Sequence, residues 1–196
     1  SAATSAPPTS EFDDAPAREA PEPSPYSTRE KLGRVLWGVV QATLFRGSFH
    51  NWYGWRRRLA CVFGATLHPT VRLRRTVRSE CPWNLRMGEQ SAVGDRAILY
   101  CLGPVSIGAH VTVSQGAHLC AGSHDHRTRR MPLLRPGITI HDDAWIAADA
   151  FVGPGVEVGE GALLGARGVA LKGLDPWTIS IGNPAQTVRS RSRPDA

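Results

Sequence analysis

The sequence lacks the features of membrane-spanning and exported proteins. No apolar run approaches the roughly 18 residues that a membrane span needs, and the start of the chain lacks the basic segment and apolar centre of a signal peptide. We therefore expect a cytoplasmic protein. Contact with the inner face of the membrane stays open as an alternative.

Paired cysteine motifs are also missing. The four cysteines are Cys61, Cys81, Cys101 and Cys120, and none forms the C-x-x-C pattern of a metal or redox site. This spacing predicts reduced thiols and no bound metal.

The chain carries 23 basic and 17 acidic residues, for a formal net charge of +6. The basic residues are dispersed, and their short clusters lack the interleaved aromatic side chains of a surface that stacks on nucleic acid bases. We therefore expect no nucleic acid partner. A basic surface also suits a polyanionic cofactor or acidic lipids.

Composition separates two terminal segments from the rest of the chain. Residues 1–25 consist mainly of Ala, Pro, Ser and acidic residues, with almost no apolar side chain to form a core, so we expect disorder there. Residues 187–196 predict a basic C-terminal tail.

Residues 26–67 predict two short helices. The capping-box pattern Ser27-Thr28-Arg29-Glu30 opens the first, from Lys31 to Arg46, and the second runs from Trp52 to Phe63. We expect the helices to cap the end of the next domain. The alternative is that Leu32, Trp37 and Leu44, with flanking arginines, lie on a membrane.

Within residues 68–186 an aliphatic residue recurs every six positions, apart from a two-residue slip before Ile107 and a longer interruption after Leu119, and a small or β-branched residue lies two positions before most of them. The register comprises Met87, Val93, Leu99, Ile107, Val113, Leu119, Ile140, Ile146, Val152, Val158, Leu164 and Ala170. Three hexads close one triangular coil, and stacked coils pair as parallel strands around a continuous aliphatic column. The pattern predicts an all-β parallel solenoid.

One interruption of this register is the expected place of chemistry, because a solenoid wall has no pocket of its own. The spacing from Leu119 to Ile140 is 21 residues where three hexads span 18, and the segment from Cys120 to Thr128 is polar. We expect a loop that protrudes from the coil. Imidazole accepts a hydroxyl proton near neutral pH, so His124 and His126 are both candidate general bases. The alternative is a surface loop with two idle histidines.

Several motifs resemble one enzyme family. They are Gly122-Ser123-His124-Asp125, the stretch Asp142-Asp143-Ala144-Trp145-Ile146-Ala147-Ala148, Gly153-Pro154-Gly155-Val156, Gly182-Asn183-Pro184-Ala185, Gly54-Trp55-Arg56-Arg57 and Pro82-Trp83-Asn84-Leu85. Over about Tyr26 to Arg191 the chain resembles the hexapeptide-repeat O-acetyltransferases of the colanic-acid and exopolysaccharide type, which are near the maltose, galactoside and nodulation-factor acetyltransferases.

The resemblance implies a left-handed parallel β-helix, against the usual right-handed rule for parallel crossovers. It also implies acetyl-CoA as co-substrate without a metal, a homotrimer, and an acceptor hydroxyl on a sugar, a polysaccharide precursor or a glycosylated small molecule. The catalytic base of the family falls on His124, and no serine or cysteine nucleophile is implied.

The same resemblance implies the binding residues. The cofactor would contact Trp145, Ala148, Ala166, Lys172 and Arg189, with the backbone N–H near Ala148 as the donor to the oxyanion. Asn84, Asp95 and Asp125 are the candidate acceptor-binding residues. As alternatives, Trp145 covers the coil edge, Lys172 and Arg189 are solvated charges, and Asn84 and Asp95 are turn residues.

Two rival functions remain open. A hexapeptide-repeat carbonic anhydrase would place zinc on three histidines, for which His118, His124 and His126 are available. A non-catalytic scaffold would use the coil alone.

Overall fold

The computed structural model describes residues 24–193. The helical elements are α1 (Thr28–Val40), a π-helical turn that continues it (Gln41–Phe45), and α2 (Tyr53–Val62). Ser27 caps α1, because its Oγ accepts a hydrogen bond of 3.2 Å from the Glu30 N–H. The two predicted helices are confirmed, whereas the predicted disorder of residues 1–25 lies outside the described residues except for the last two.

Short strands make up the rest of the fold. Before the loop they are β1 (Thr66–Leu67), β2 (Arg72–Leu73), β3 (Arg78–Ser79), β4 (Leu85–Met87), β5 (Ala92–Val93), β6 (Ile98–Tyr100), β7 (Val105–Ile107), β8 (Thr112–Val113) and β9 (His118–Cys120). The loop contains β10 (Ser123–His124) and β11 (Leu133–Leu134). After it come β12 (Ile138–Ile140), β13 (Trp145–Ile146), β14 (Phe151–Val152), β15 (Glu157–Val158), β16 (Leu163–Leu164), β17 (Val169–Ala170), β18 (Thr178–Ile181) and β19 (Gln186–Ser190).

The strands form three sheets, which are the faces of a triangular prism. The first sheet has the order β1-β4-β7-β12-β15, the second β2-β5-β8-β13-β16-β18-β19, and the third β3-β6-β9-β14-β17. All pairs in these sheets are parallel except β18 with β19. The predicted parallel solenoid is confirmed, and the segment predicted as a C-terminal tail begins within β19.

The hexad register forms the core. Each of its twelve residues, from Met87 to Ala170, is at most 4% exposed. The small residues two positions earlier, such as Ala97, Ala117 and Ala150, are also buried. Burial of aliphatic surface is the main favourable contribution to folding, so this inward column holds the coils together.

One coil lies before the hexads that the sequence revealed. It consists of β1, β2 and β3, and Val71, Leu73 and Val77 fill its interior. An early coil is 20 residues long, because Met87 pairs with Ile107 on the next coil. A later coil is 18 residues long, because Ile140 pairs with Val158. The two additional residues per early coil lie at a corner, at the 3-10 turn (Pro82–Asn84) and around the buried Leu102.

The helical segment closes the open end of the first coil. Gln41 pairs with the backbone of Ser79, donating from Nε2 to its carbonyl (2.6 Å) and accepting from its N–H (3.2 Å), and Trp37 Nε1 donates to the same carbonyl (2.7 Å). The guanidinium of Arg56 is fully buried and donates to the Leu73 carbonyl at 2.6 Å. Side chains therefore satisfy backbone groups of β2 and β3 that would otherwise form an exposed sheet edge.

The apolar stripe of α1 lies on the outside. Leu32, Val35, Leu36 and Val39 are spaced like the buried face of an amphipathic helix, yet they are between 51% and 65% exposed. The membrane alternative predicted that Trp37 lies on a membrane together with Leu32. Trp37 is instead buried against the coil. Within residues 24–193 no helix is long and apolar enough to cross a membrane.

We expect Arg56→Met to destabilise the protein by about 3 kcal/mol or more, because the buried Leu73 carbonyl, the Phe49 and His50 carbonyls and the Ser48 hydroxyl lose their donor. Denaturant unfolding followed by circular dichroism measures the change. The exposed neighbour Arg58→Met is the control and should alter stability by less than about 0.5 kcal/mol. Equal effects of the two substitutions would contradict the role of Arg56 in closing the coil.

Candidate active site

The segment from 121 to 137 leaves the coil at the corner between the third and first sheets. It forms an antiparallel hairpin in which β10 pairs with β11, with His124 opposite Leu133. The side chain of His124 is exposed on β10, and His126 is exposed in the turn beyond it. The expected protruding loop is confirmed, and it contains regular strands.

A hydrogen bond fixes the orientation of the His124 ring. Nδ1 lies 2.6 Å from the carbonyl oxygen of Met131. A carbonyl only accepts, so Nδ1 carries the proton and donates it. In the neutral ring Nε2 is then the free basic atom, which is the arrangement that a general base requires.

Asp125 shapes the loop. Its N–H donates to the Pro132 carbonyl at 3.0 Å, and its Oδ1 accepts from the Arg127 N–H at 3.0 Å. This is an Asx turn, in which the carboxylate replaces a backbone acceptor. One carboxylate oxygen is thus occupied within the loop, although Asp125 was predicted to bind the acceptor.

The exit of the loop is tied to the N-terminal helix by a cluster of charged and aromatic groups. Arg135 forms an ion pair with Glu30 (3.0 Å), and its guanidinium lies 4.8 Å from the centroid of the Tyr26 ring. Arg34 covers the same ring at 4.4 Å and pairs with Glu80 at 3.2 Å. Arg135 and Tyr26 were not predicted as site residues, since no local pattern relates Arg135 to a partner 105 residues away.

Gly103 contacts both ends of the loop. Its N–H donates to the Ala121 carbonyl at 2.7 Å, and a Cβ at this position would lie 2.5 Å from the Arg135 carbonyl oxygen. Only glycine permits this approach. The loop therefore rests on a fixed base.

The predicted site residues fall along two edges of the prism. We call the corner between the third and first sheets the loop edge, and it contains Asn84, the segment 121–137 and Lys172. We call the corner between the second and third sheets the alanine edge, and it contains Asp95, Ala148 and Ala166. His124 and Ala148 are thus on different edges of one chain.

Trp145 and Arg189 lie on the second sheet beside the alanine edge. Trp145 pairs with Leu163, Leu163 with Ile179, and Ile179 with Arg189, so these residues form one row across the sheet. With strands about 4.8 Å apart, the row is about 14 Å long. The Trp145 ring is half exposed, and its Nε1 donates to Ser114 Oγ at 2.9 Å.

Ala148 has a free backbone donor. Its carbonyl accepts from the Arg167 N–H at 2.9 Å, but its own N–H donates no hydrogen bond within residues 24–193. Ala166 occupies the same turn one coil further on and is exposed. The alanine edge therefore offers an available N–H beside two small side chains, Ala148 and Ala166.

Asn84 and Asp95 both make internal contacts. Asn84 Nδ2 donates to the carbonyls of Cys101 and Leu102, at 2.9 and 3.0 Å. Asp95 accepts from the Thr76 hydroxyl at 2.7 Å and lies 3.5 Å from the Arg74 guanidinium. The two residues lie on different edges, so one chain does not bring them together.

A cavity of about 500 Å³ lies between α1 and the outer face of the third sheet. His118 lies in its wall between the rings of Tyr100 and Phe151. Burial lowers the pKa of His118, and its Nε2 is covered without a hydrogen-bond partner among the described residues. The ring therefore stays neutral at pH 7 and acts as a packing group.

The described residues hold no group of three or more His, Cys, Asp or Glu side chains arranged for a metal ion. The cysteines are free thiols. Burial raises the pKa of Cys81 to about 11 and raises the pKa of Cys101 as well. These two thiols are therefore protonated and unreactive near neutral pH.

No model of a protein family matches the sequence. The colanic acid biosynthesis acetyltransferase WcaF of Escherichia coli (strain K12) is 42% identical over 156 residues, which are 80% of this chain and 86% of the relative. A galactoside acetyltransferase in complex with coenzyme A aligns with a TM-score of 0.78 and 20% identity over 86% of each chain. A hexapeptide-repeat acetyltransferase of Vibrio cholerae O1 biovar eltor, complexed with acetyl coenzyme A, aligns with a TM-score of 0.76 and 23% identity over 85% of this chain and 91% of that one. The predicted left-handed parallel β-helix is confirmed by this likeness.

We expect Arg135→Ala to loosen the loop without unfolding the coil, because the exit of the hairpin loses its ion pair with Glu30 and its contact with Tyr26. Hydrogen–deuterium exchange should become faster for residues 121–137 and stay unchanged in the hexad strands. Arg127→Ala, at the exposed tip of the same loop, is the control. Unaltered exchange in Arg135→Ala would show that the cluster does not hold the loop.

Proposed function

Because the chain belongs to the hexapeptide-repeat acetyltransferases that include the colanic-acid type, we propose that it transfers the acetyl group of acetyl-CoA to a hydroxyl of a sugar, a polysaccharide precursor or a glycosylated small molecule. Family membership argues against the rival carbonic anhydrase and scaffold interpretations. The relative of 42% identity takes its name from a polysaccharide pathway.

The observation that carries the proposal is the hydrogen bond from His124 Nδ1 to the Met131 carbonyl. It leaves Nε2 free to take the proton of the acceptor hydroxyl. The hydroxyl oxygen then attacks the thioester carbonyl, the carbon–sulfur bond breaks, and the proton passes to the leaving thiolate. The family resemblance implies no serine or cysteine nucleophile, which fits direct transfer.

The free N–H of Ala148 suits the oxyanion that forms on the thioester carbonyl. A preorganised backbone donor of this kind contributes roughly 3 kcal/mol to transition-state stabilisation. We assign the cofactor to the row beside it, with Trp145 along the pantetheine arm, Ala148 and Ala166 where its amides approach the backbone, and Arg189 near its phosphates. Lys172 lies on the loop edge, so it would reach the phosphates from a second subunit.

We propose that the active site is shared between subunits of a homotrimer. His124 projects from the loop edge and the free N–H lies on the alanine edge, so a single chain separates the base from the oxyanion donor. A cyclic trimer places the loop edge of one subunit against the alanine edge of the next. The remaining candidates, Asn84, Asp95 and Asp125, would then face the acceptor from both subunits.

We also propose contact with the inner face of a membrane through α1. Its exposed apolar residues, Leu32, Val35, Leu36 and Val39, suit the acyl boundary of a bilayer. Residues 26–67 contain seven basic side chains and one acidic one, Glu30, so charge favours anionic headgroups. An enzyme held there would meet acceptors that are themselves attached to lipid.

We expect His124→Ala to lower acetyl transfer by about a hundredfold or more, because removing a general base typically costs that much. The assay is thiol release from acetyl-CoA with a panel of sugars and glycolipids as acceptors. His126→Ala is the matched control and should stay within a few-fold of wild type. Full activity of His124→Ala would rule out His124 as the base, and absence of coenzyme A binding in the wild type would refute acetyl transfer.

For the membrane contact, we expect the wild type to co-sediment with vesicles of phosphatidylcholine and phosphatidylglycerol, and less with phosphatidylcholine alone. The double variant Val35→Ser, Leu36→Ser should bind about tenfold more weakly, because two apolar side chains no longer enter the bilayer. Leu171→Ser, exposed on the coil, is the control. No binding by the wild type would contradict the proposal, and a changed oligomeric state in the double variant would show that another subunit covers α1.

A further inference from the structure

The cavity between α1 and the third sheet has the size and position of a ligand site. Its volume of about 500 Å³ lies within the range of small-molecule pockets. Tyr100 and Cys120, from β6 and β9, line it on the coil side. A Cβ at Gly122 would lie 3.1 Å from the Tyr100 ring, so the cavity directly adjoins the start of the loop that carries His124.

The walls of this cavity are strongly basic. Four arginines line it, Arg34, Arg46, Arg75 and Arg78, against a single carboxylate, Glu80. Arg34 is held by Glu80 at 3.2 Å. Arg46, Arg75 and Arg78 form no hydrogen bond or ion pair through their guanidinium groups within residues 24–193, and His118 in the same wall contributes no charge at pH 7. Three guanidinium groups are therefore available to an anion.

Helix α1 has a glycine, Gly38, where it lines this cavity. A Cβ added at Gly38 would meet no atom within 4 Å, whereas one at Gly33, a turn earlier on α1, would lie 3.3 Å from the Trp83 ring. Glycine weakens a helix interior relative to almost any other residue, and here no close packing requires it. Its effect is to keep the space between the arginines empty.

We propose that this cavity binds an anionic group, a phosphate or a carboxylate, on the sugar acceptor. The inference rests on the proposed acetyl transfer and specifies the chemical class of its acceptor. Guanidinium groups are the preferred partners of phosphate and carboxylate oxygens. Cys120 and His124 are four residues apart, so at most about 14 Å separates the cavity wall from the backbone of the base. An anion in the cavity and a hydroxyl at His124 are therefore within the span of one small glycan.

The test measures binding to the full chain by calorimetry, with glucose 1-phosphate, glucuronate and the neutral methyl glucoside as probes. We expect at least one anionic probe to bind about tenfold or more tightly than methyl glucoside, and the two anionic probes distinguish phosphate from carboxylate. The double variant Arg75→Gln, Arg78→Gln should lose about tenfold or more in affinity for that probe. Gly38→Leu should lose it as well, because the new side chain fills the cavity.

Two controls keep this test separate from effects on folding and on the cofactor. Arg86→Gln, on the exposed face of the first sheet, removes a positive charge away from the cavity and should leave binding unchanged. Gly38→Leu should melt at or above the wild-type temperature, because leucine is the better helix former. Acetyl-CoA should bind all variants equally.

The proposal is overturned if neither anionic probe binds better than methyl glucoside, or if Arg86→Gln weakens binding as much as the cavity variants do. Acetyl-CoA titration of the wild type distinguishes failure of the anion site from failure of acetyl transfer. A chain that binds the anionic sugar but not acetyl-CoA would refute the acetyl transfer proposal, whereas one that binds acetyl-CoA but no anionic sugar would refute only the anion site.

Discussion

The aliphatic column inside the coil is the constraint on which the rest of the structure depends. The strands of the coil are mostly two or three residues long, too short for their backbone hydrogen bonds to hold them alone. Inward residues such as Leu99, Leu119 and Val152 keep successive coils in register because each must stack on the next. A wall built this way is regular and presents no cavity, so the chemistry depends on the places where the chain departs from its six-residue period.

The hairpin, one turn of the wall and helix α1 contribute different parts of the proposed site, and the turn keeps the six-residue period. The hairpin at 121–137 carries His124 and fixes its tautomer. The turn at Ala148 exposes a backbone donor. Helix α1, which closes the end of the coil through Trp37, also forms one wall of the basic cavity, while its opposite face is apolar and exposed.

The sequence predicted the fold well because its register is local. Residues six apart, such as Val152 and Val158, reveal the coil, and Ser27 with Glu30 reveals the helix start. The β-helix domain was predicted to begin at residue 68, which includes most of the first coil, although the register was recognised only from Met87 onwards. The contact of Arg135 with Tyr26, the basic cavity and the outward face of α1 all arise from pairings between distant segments, which periodicity in one segment does not encode. The site residues implied by family resemblance lie on the loop edge and on the alanine edge. Only the assembly of several chains would bring the two groups of residues together.

The most direct test of this account is subunit complementation between His124→Ala and Ala166→Arg. The first variant lacks the base on the loop edge, and the second blocks the cofactor on the alanine edge, so each alone should be inactive. Trimers that contain both, isolated by two different tags after co-expression, have one intact site among three and should recover about a third of the wild-type rate. Mixed trimers as inactive as either parent would contradict an active site shared between subunits.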